Sequence, residues 1–346
     1  MKRFITILSL MMLISITAFA NVRVGIVFDA GGKNDRSFNQ SAFEGALKAQ
    51  KELGITLKDA EPGDSSAVEE AMRAMASEGY DLIFGIGFAN ATAIENVAKE
   101  FPNIKFALVD AVVGLPNVTN LVFKEHEGSY LVGMIAAMRS RIVNGSRTIG
   151  FIGGMEIDLI KKFEQGYVQG AKKIYPDINV LVNYVGNTPT AWNDPTKAKE
   201  IANAQIGKGS SVIYAAAGGS GNGLFDAIQE KNGKGVPCDP KYQGKQRVDE
   251  CVYAIGVDSN QNYIVPGQIL TSMLKRVDVA VFDTITKLND GMLKGGVNVY
   301  GLDNNGVGYS VDKYNRRLIT RKMKSVVDLF RKKIINGEIL VREKRQ

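Results

Sequence analysis

Strand-length apolar runs alternate with helix-length amphipathic runs along nearly the whole chain after residue 20, and no other feature constrains the fold as much. Residues 22–28 read as a strand, and Ala42, Phe43, Ala46, Leu47 and Leu53 recur at helical spacing. Strand 55–60 follows, then a helix with Val68, Ala71, Met72 and Met75 on one face, capped by Ser65 or Ser66. Residues 81–87 form a continuous apolar strand of the kind buried on both faces. Helix 91–101, strand 105–109 ending on Asp110, and strand 118–123 complete the first series. A βαβα series implies a parallel sheet with helices on both faces.

The pattern then repeats. A long helix from Glu125 leads to strand 148–152, helix 156–175, strand 178–185, helix 195–207, strand 211–216 and a helix that starts in 221–223. Strand 251–257 ends on Asp258. The 346 residues suit about two domains. The remaining elements are strand 268–273, helix 277–293, short strands at 297–301 and 307–310, and a basic helix at 321–336. They are too few for a third domain, so they are expected to join the two earlier sheets. The expected division is 21–124 plus about 264–295 for one lobe, and 125–263 plus about 296–346 for the other. Such a chain crosses between lobes several times, which makes a hinge and a cleft, and clefts between lobes are preferred ligand sites.

The N-terminus carries a further signal. Lys2 and Arg3 precede an uncharged, largely apolar run, and Ala18-Phe19-Ala20 has the small-x-small form of a signal-peptidase site. Residues 1–20 are expected to be a secretory signal and Asn21 the mature N-terminus. No cysteine lies near that site, so a lipid anchor is not expected. The formal charge is +7, and removing Lys2 and Arg3 leaves +5. Much of the excess sits in the last thirty residues, where a solvated helix face is expected rather than a nucleic-acid site. Cys238 and Cys251 are the only cysteines, and in an oxidising compartment they either bridge or stay buried and idle.

Catalytic chemistry finds little support. The single histidine, His126, opens a helix and has no nucleophile motif beside it; it is read as a first-turn residue with a local hydrogen bond. One His and two Cys leave no zinc site of that type, and no metal or cofactor is expected. Gly85-x-Gly87 lacks the third glycine of a dinucleotide fingerprint, and residues 217–223, though glycine-rich, lack the Gly-Lys-Ser/Thr of a P-loop.

Binding reads better. Polar and aromatic groups project from strand C-terminal ends: Asp29, Asp35, Phe38 and Asn39 after the first strand, then residues 87–90, Asp110, Trp192, the Gly218-Gly219 turn and Asp258. Carboxylates suit vicinal hydroxyls or the N–H edge of a base, and rings suit stacking on it. Each residue alone could be a cap, a turn or core; Ser37, for example, could cap the helix while Phe38 packs inward.

Six segments carry a resemblance: 34–45 (NDRSFNQSAFEG), 127–133 (EGSYLVG), 150–154 (GFIGG), 215–223 (AAAGGSGNG), 255–261 (IGVDSNQ) and 271–278 (TSMLKRVD). In this order they resemble the BMP family, the basic membrane or purine nucleoside receptor proteins, which are bacterial substrate-binding proteins of ABC transporters. The resemblance covers essentially the whole mature chain. It implies an α/β type I periplasmic-binding-protein fold, with two doubly wound parallel-sheet lobes joined by a multi-crossing hinge and closing on a nucleoside, a purine first. It implies that Phe38 stacks on the base, with Trp192 as the aromatic of the other lobe. Asp35 and Asn39, with Asp29, would read the base edge. Asp110, Asp258 and Lys275 would lie near the ribose, and Gly219 would offer backbone contacts. The partners implied are the nucleoside and an inner-membrane permease, with a monomer in the periplasm and no enzymatic activity. Many relatives are lipid-anchored, and the absent cysteine is the departure. A sugar or signalling metabolite on the same fold, or a nucleoside-processing enzyme, are the alternatives.

Overall fold

The computed structural model describes residues 21–234, 238 and 250–344; the expected signal at 1–20 lies outside the described residues. The first sheet consists of β1 (Arg23–Val27), β2 (Thr56–Ala60), β3 (Leu82–Gly85), β4 (Lys105–Val109), β5 (Val118–Phe123) and β12 (Gly296–Tyr300). Its order is β12-β5-β4-β3-β1-β2, and every pairing is parallel. The second sheet contains β6 (Ile142–Val143), β7 (Ser146–Met155), β8 (Asn179–Gly186), β9 (Val212–Ala216), β10 (Tyr253–Asp258), β11 (Ile269–Lys275) and β13 (Val307–Tyr309). It runs β13-β11-β10-β9-β7-β6, with β8 also paired to β7. Only β13 on β11 and β6 on β7 are antiparallel.

Both sheets therefore share one doubly wound order, second-first-third-fourth-fifth strand, with a late strand added at one edge. Helices α1 (Phe38–Leu53), α2 (Ser65–Ser77), α3 (Ala91–Glu100) and α8 (Val277–Asn289) cover the first sheet, with α1 packed on α8 and α2 on α3. Helices α4 (Glu125–Arg139), α5 (Asp158–Ile174), α6 (Pro195–Gly207), α7 (Asn222–Asn232) and α9 (Arg321–Ile335) cover the second. All four residues of β3 are buried, because helices close both sides of the sheet. α4 is buried over most of its circumference, between β11, β13, α5 and α9, which is why it shows no polar stripe.

The expected lobe boundaries need correction. Residues 269–275 pair with β10 in the second sheet, not the first, and 296–300 pair with β5 in the first sheet, not the second. The crossings lie at Lys124, at Arg276 and at 301–306, where the chain passes β5 to α4, β11 to α8 and β12 to β13. The three run side by side: Lys124 N–H donates to Tyr300 O at 2.8 Å, and Arg276 N–H to Gly306 O at 2.8 Å. Strand periodicity cannot say which sheet a late strand joins, since either edge would bury it equally.

Two local expectations also change. Asp64, not Ser65 or Ser66, caps α2, accepting from the backbone N–H groups of Ser66 and Ala67. His126 has no hydrogen bond at Nδ1, which stands 3.7 Å from Glu343; burial pushes its pKa down. Cys238 and Cys251 are bonded, with Cα atoms 6.0 Å apart, and join the two ends of the 239–250 segment just before β10.

Candidate functional site

The C-terminal ends of β1, β3 and β4 face those of β7 to β11 across a cavity between the lobes, a preferred position for a ligand site. The doubly wound order puts a switch point between β1 and β3 in one lobe and between β7 and β9 in the other, where neighbouring connections leave in opposite directions. Asp29, Asp35, Phe38, Asn39, Asp110, Trp192, Asp258 and Lys275 all line this cavity. Gly219 does not; the preceding Gly218 does, while the Gly219 carbonyl accepts from the Asn222 side chain at 2.8 Å.

Lys275 organises the floor. Its side chain is 2% exposed, and Nζ lies 2.6 Å from Asp110 Oδ2 and 3.1 Å from Glu125 Oε1. The ammonium also stands 5.1 Å from the Phe38 ring centroid, 5.0 Å from that of Phe123 and 5.5 Å from that of Phe163. Burial alone would lower the lysine pKa, but the carboxylates of Asp110, Glu125 and Asp258 outweigh it and the net shift is upward. Lys275 stays charged. Glu125, fully buried, is pushed up by burial against the opposing pull of Lys275.

The carboxylates divide by role. Asp35 is the real cap of α1: it accepts from the backbone N–H groups of Ser37 at 2.8 Å, Asn39 at 3.0 Å and Gln40 at 3.1 Å. Ser37 makes no side-chain cap bond and instead donates its hydroxyl to Asp258 Oδ2 in the other lobe at 2.6 Å. Asp35 is pushed up to about 6 and Asp258 to about 7, in both cases chiefly by burial. Asp29 accepts from Asn39 Nδ2 at 2.8 Å and from the Gly31 N–H at 2.9 Å, and burial raises its pKa also. Asn39 Oδ1 and Asp110 Oδ1 are buried with no hydrogen-bond partner among the described residues. Unpaired buried acceptors of this kind ask for donors on a ligand.

The ring side is richer than expected. Trp192 meets Phe88 of the other lobe edge-on, centroids 6.5 Å apart. A Cβ on Gly154 would come within 2.1 Å of the indole, so that glycine lets Trp192 lie against β7. Phe163, with Leu159 and Ile160, lines the cavity from α5. It was not singled out from the sequence because it falls on the buried stripe of α5 with Ile160 and Tyr167, where a cavity ring and a core ring look the same. Phe88 lay inside the 87–90 stretch already expected to project. Among the described residues no group of three His, Cys, Asp or Glu side chains is placed to hold a metal ion.

Comparison with known proteins matches this arrangement. A family model for ABC transporter substrate-binding proteins, PnrA-like, matches residues 22–345. The chain is 36% identical to the ABC transporter nucleoside-binding protein BmpA of Lactococcus lactis, over 94% of this chain and 90% of that one. It is 30% identical to basic membrane protein A of Borreliella burgdorferi, over 92% and 87%. An ABC transporter solute-binding protein from Aeropyrum pernix superimposes with a TM-score of 0.81 at 29% identity, covering 94% of each chain. A periplasmic solute-binding protein from Actinobacillus succinogenes with bound D-allose shares the fold alone, at a TM-score of 0.62 and 16% identity. The chain belongs to the Bmp family of ABC transporter substrate-binding proteins, with the two-lobed type I periplasmic-binding fold.

Proposed function

We propose that this protein binds a nucleoside, a purine nucleoside first, in the inter-lobe cavity outside the cytoplasm and delivers it to the permease of an ABC importer. One observation carries the reading. A ring, Phe38, and an acidic and amide set with unpaired acceptors, Asn39 and Asp110, converge on one cavity with Trp192 and Asp258 of the facing lobe. A flat base with polar edges fits the ring and the Asn39–Asp29 corner. A hydroxylated sugar fits Asp110 and Asp258, which accept from hydroxyl groups, and Lys275, which donates to hydroxyl oxygens. The relative in L. lactis is named for nucleoside binding, which agrees. Bound ligand touches both lobes and so stabilises the closed form, the form the permease would receive.

The test is titration calorimetry with a panel of nucleosides, free bases and sugars. Purine nucleosides are expected to bind, and Phe38→Ala to weaken them by roughly tenfold or more, since stacking on a base contributes about 1–3 kcal/mol. Binding of sugars with no response to nucleosides, or release of free base from inosine, overturns the reading.

A further inference from the structure

We propose that the outer face of the second lobe, built by α9 and the segment after it, docks reversibly on an anionic phospholipid surface. Residues 316–344 hold ten Lys and Arg against three Asp and Glu, an excess equal to the formal charge of the whole chain, +7. The net positive charge is therefore concentrated in α9 and the segments flanking it.

Structure adds what composition lacks. α9 turns Met323, Val327 and Ile334 inward toward α4 and leaves Lys322, Leu329 and Lys332 outward. Leu329 is 52% exposed, Ile335 40% and Leu340 88%. Leu340 also lines an open groove beside α5 with Lys172, Lys173, Arg342 and Lys344. Exposed leucines set among lysines are what a lipid interface takes. The apolar side chains enter the boundary of the acyl region, and the lysine stems lie along it with their charges at the headgroups.

Several of these lysines are paired within the lobe, Lys324 with Asp328, Lys333 with Glu338 and Lys344 with Asp158. Such exposed pairs are weak and can exchange for phosphate. A nucleic acid would use the same charges but would leave the leucines unexplained, and an acidic protein surface would bind equally well in neutral lipid, which the vesicle experiment separates. No described helix is long and apolar enough to cross a membrane, so the contact is peripheral. None of the face lines the ligand cavity, and the inference does not depend on what that cavity binds.

The test is co-sedimentation of the purified protein with vesicles of phosphatidylcholine, alone or with phosphatidylglycerol. Binding is expected only to the anionic vesicles and is expected to fall as salt is raised. The double variant Lys322→Glu/Lys332→Glu should lose about 25-fold or more in partitioning, at roughly fivefold for each lysine near the surface, with melting temperature and ligand affinity unchanged. Leu329→Ser should weaken anionic-vesicle binding while leaving its salt dependence. Equal binding to both vesicle types, no binding to either, or a charge variant that sediments like the parent overturns the proposal. If vesicles are ignored but the charge variant fails to stimulate permease ATPase in neutral lipid, the face meets an acidic protein surface and the membrane reading falls.

Discussion

Asp110 directly follows β4 and Asp258 ends β10, equivalent strands in the two lobes, and both sit in left-handed backbone conformation, at φ of 72° and 62°. Asp and Asn tolerate that region where most residues do not. The conformation turns both carboxylates into the cavity, on either side of Lys275, which pairs with Asp110 directly and attracts Asp258 by charge. Burial then raises Asp258 from 3.8 to about 7, so the native state holds that proton more tightly than the unfolded chain does. A raised acid gives stability that is fully present below 3.8 and lost as pH climbs through about 7. Asp258→Asn keeps the backbone preference and removes the titration. Its denaturant unfolding curves are expected to show a shallower fall in stability between those limits, by up to about 1.4 kcal/mol per pH unit. An unchanged slope would mean that burial of this carboxylate does not govern the profile.

At the scale of elements, the doubly wound order explains why a ring from β1's loop and a ring from β8's loop share one cavity. Connections on the two sides of a switch point diverge and leave a crevice, and two lobes bring two such crevices together. The strand β7 must then be thin where Trp192 lies on it, and Gly154 makes it so, while Gly153 gives room to Tyr184 and Ile160 on the opposite face. Gly154→Ala would press a methyl into the indole, and overpacking of this sort costs about 1–3 kcal/mol. Trp192 is the only tryptophan in the chain, so its emission reports the site without labelling. Ligand addition is expected to change that emission in the parent. Gly154→Ala is expected to shift the unliganded spectrum and to weaken binding, and superimposable spectra would show that the indole does not rest on β7. The caps belong to this scale too. Both Asp35 and Asp64 accept from free N–H groups of a first helical turn, the role the sequence suggested for serines.

For the whole molecule, closure is held by direct contacts as well as by any ligand. Ser37 donates to Asp258, Ser259 Oγ to the Ser37 carbonyl at 2.9 Å, and Gln261 Nε2 to the Arg36 carbonyl at 2.9 Å. All three join the loop before α1 to the end of β10 or the loop that follows it, so they form only when the lobes meet. These bonds favour the closed arrangement independently of ligand, and a ligand that touches both lobes adds to that bias. Ser37→Ala/Ser259→Ala removes two of them, each contributing roughly 0.5–1.5 kcal/mol. Affinity for the ligand is expected to fall about tenfold because less of the protein is closed and competent. Small-angle scattering of the unliganded variant should show a more expanded particle than the parent. Equal affinity and equal scattering would leave closure to the ligand alone.

The alternation of strands and helices determined the fold class and most element positions, because apolar spacing of two or near 3.6 records locally which faces are buried. The spread of Asp, Asn and aromatic residues at strand ends was legible for the same reason: a strand's end is marked in its own sequence. Which strands share a sheet was not. β11 and β12 exchanged lobes relative to expectation, since pairing energy along an edge depends on the neighbour and not on the strand. Glu125 and Phe163 escaped notice because each reads as part of a buried helix, and only the three-dimensional approach of α4, α5 and β11 brings them to Lys275. Ser37 reads as a helix cap in sequence, but the facing lobe takes its hydroxyl across the cleft, and Asp35 caps the helix in its place. Local chemistry thus selected the candidates, and long-range packing assigned their partners.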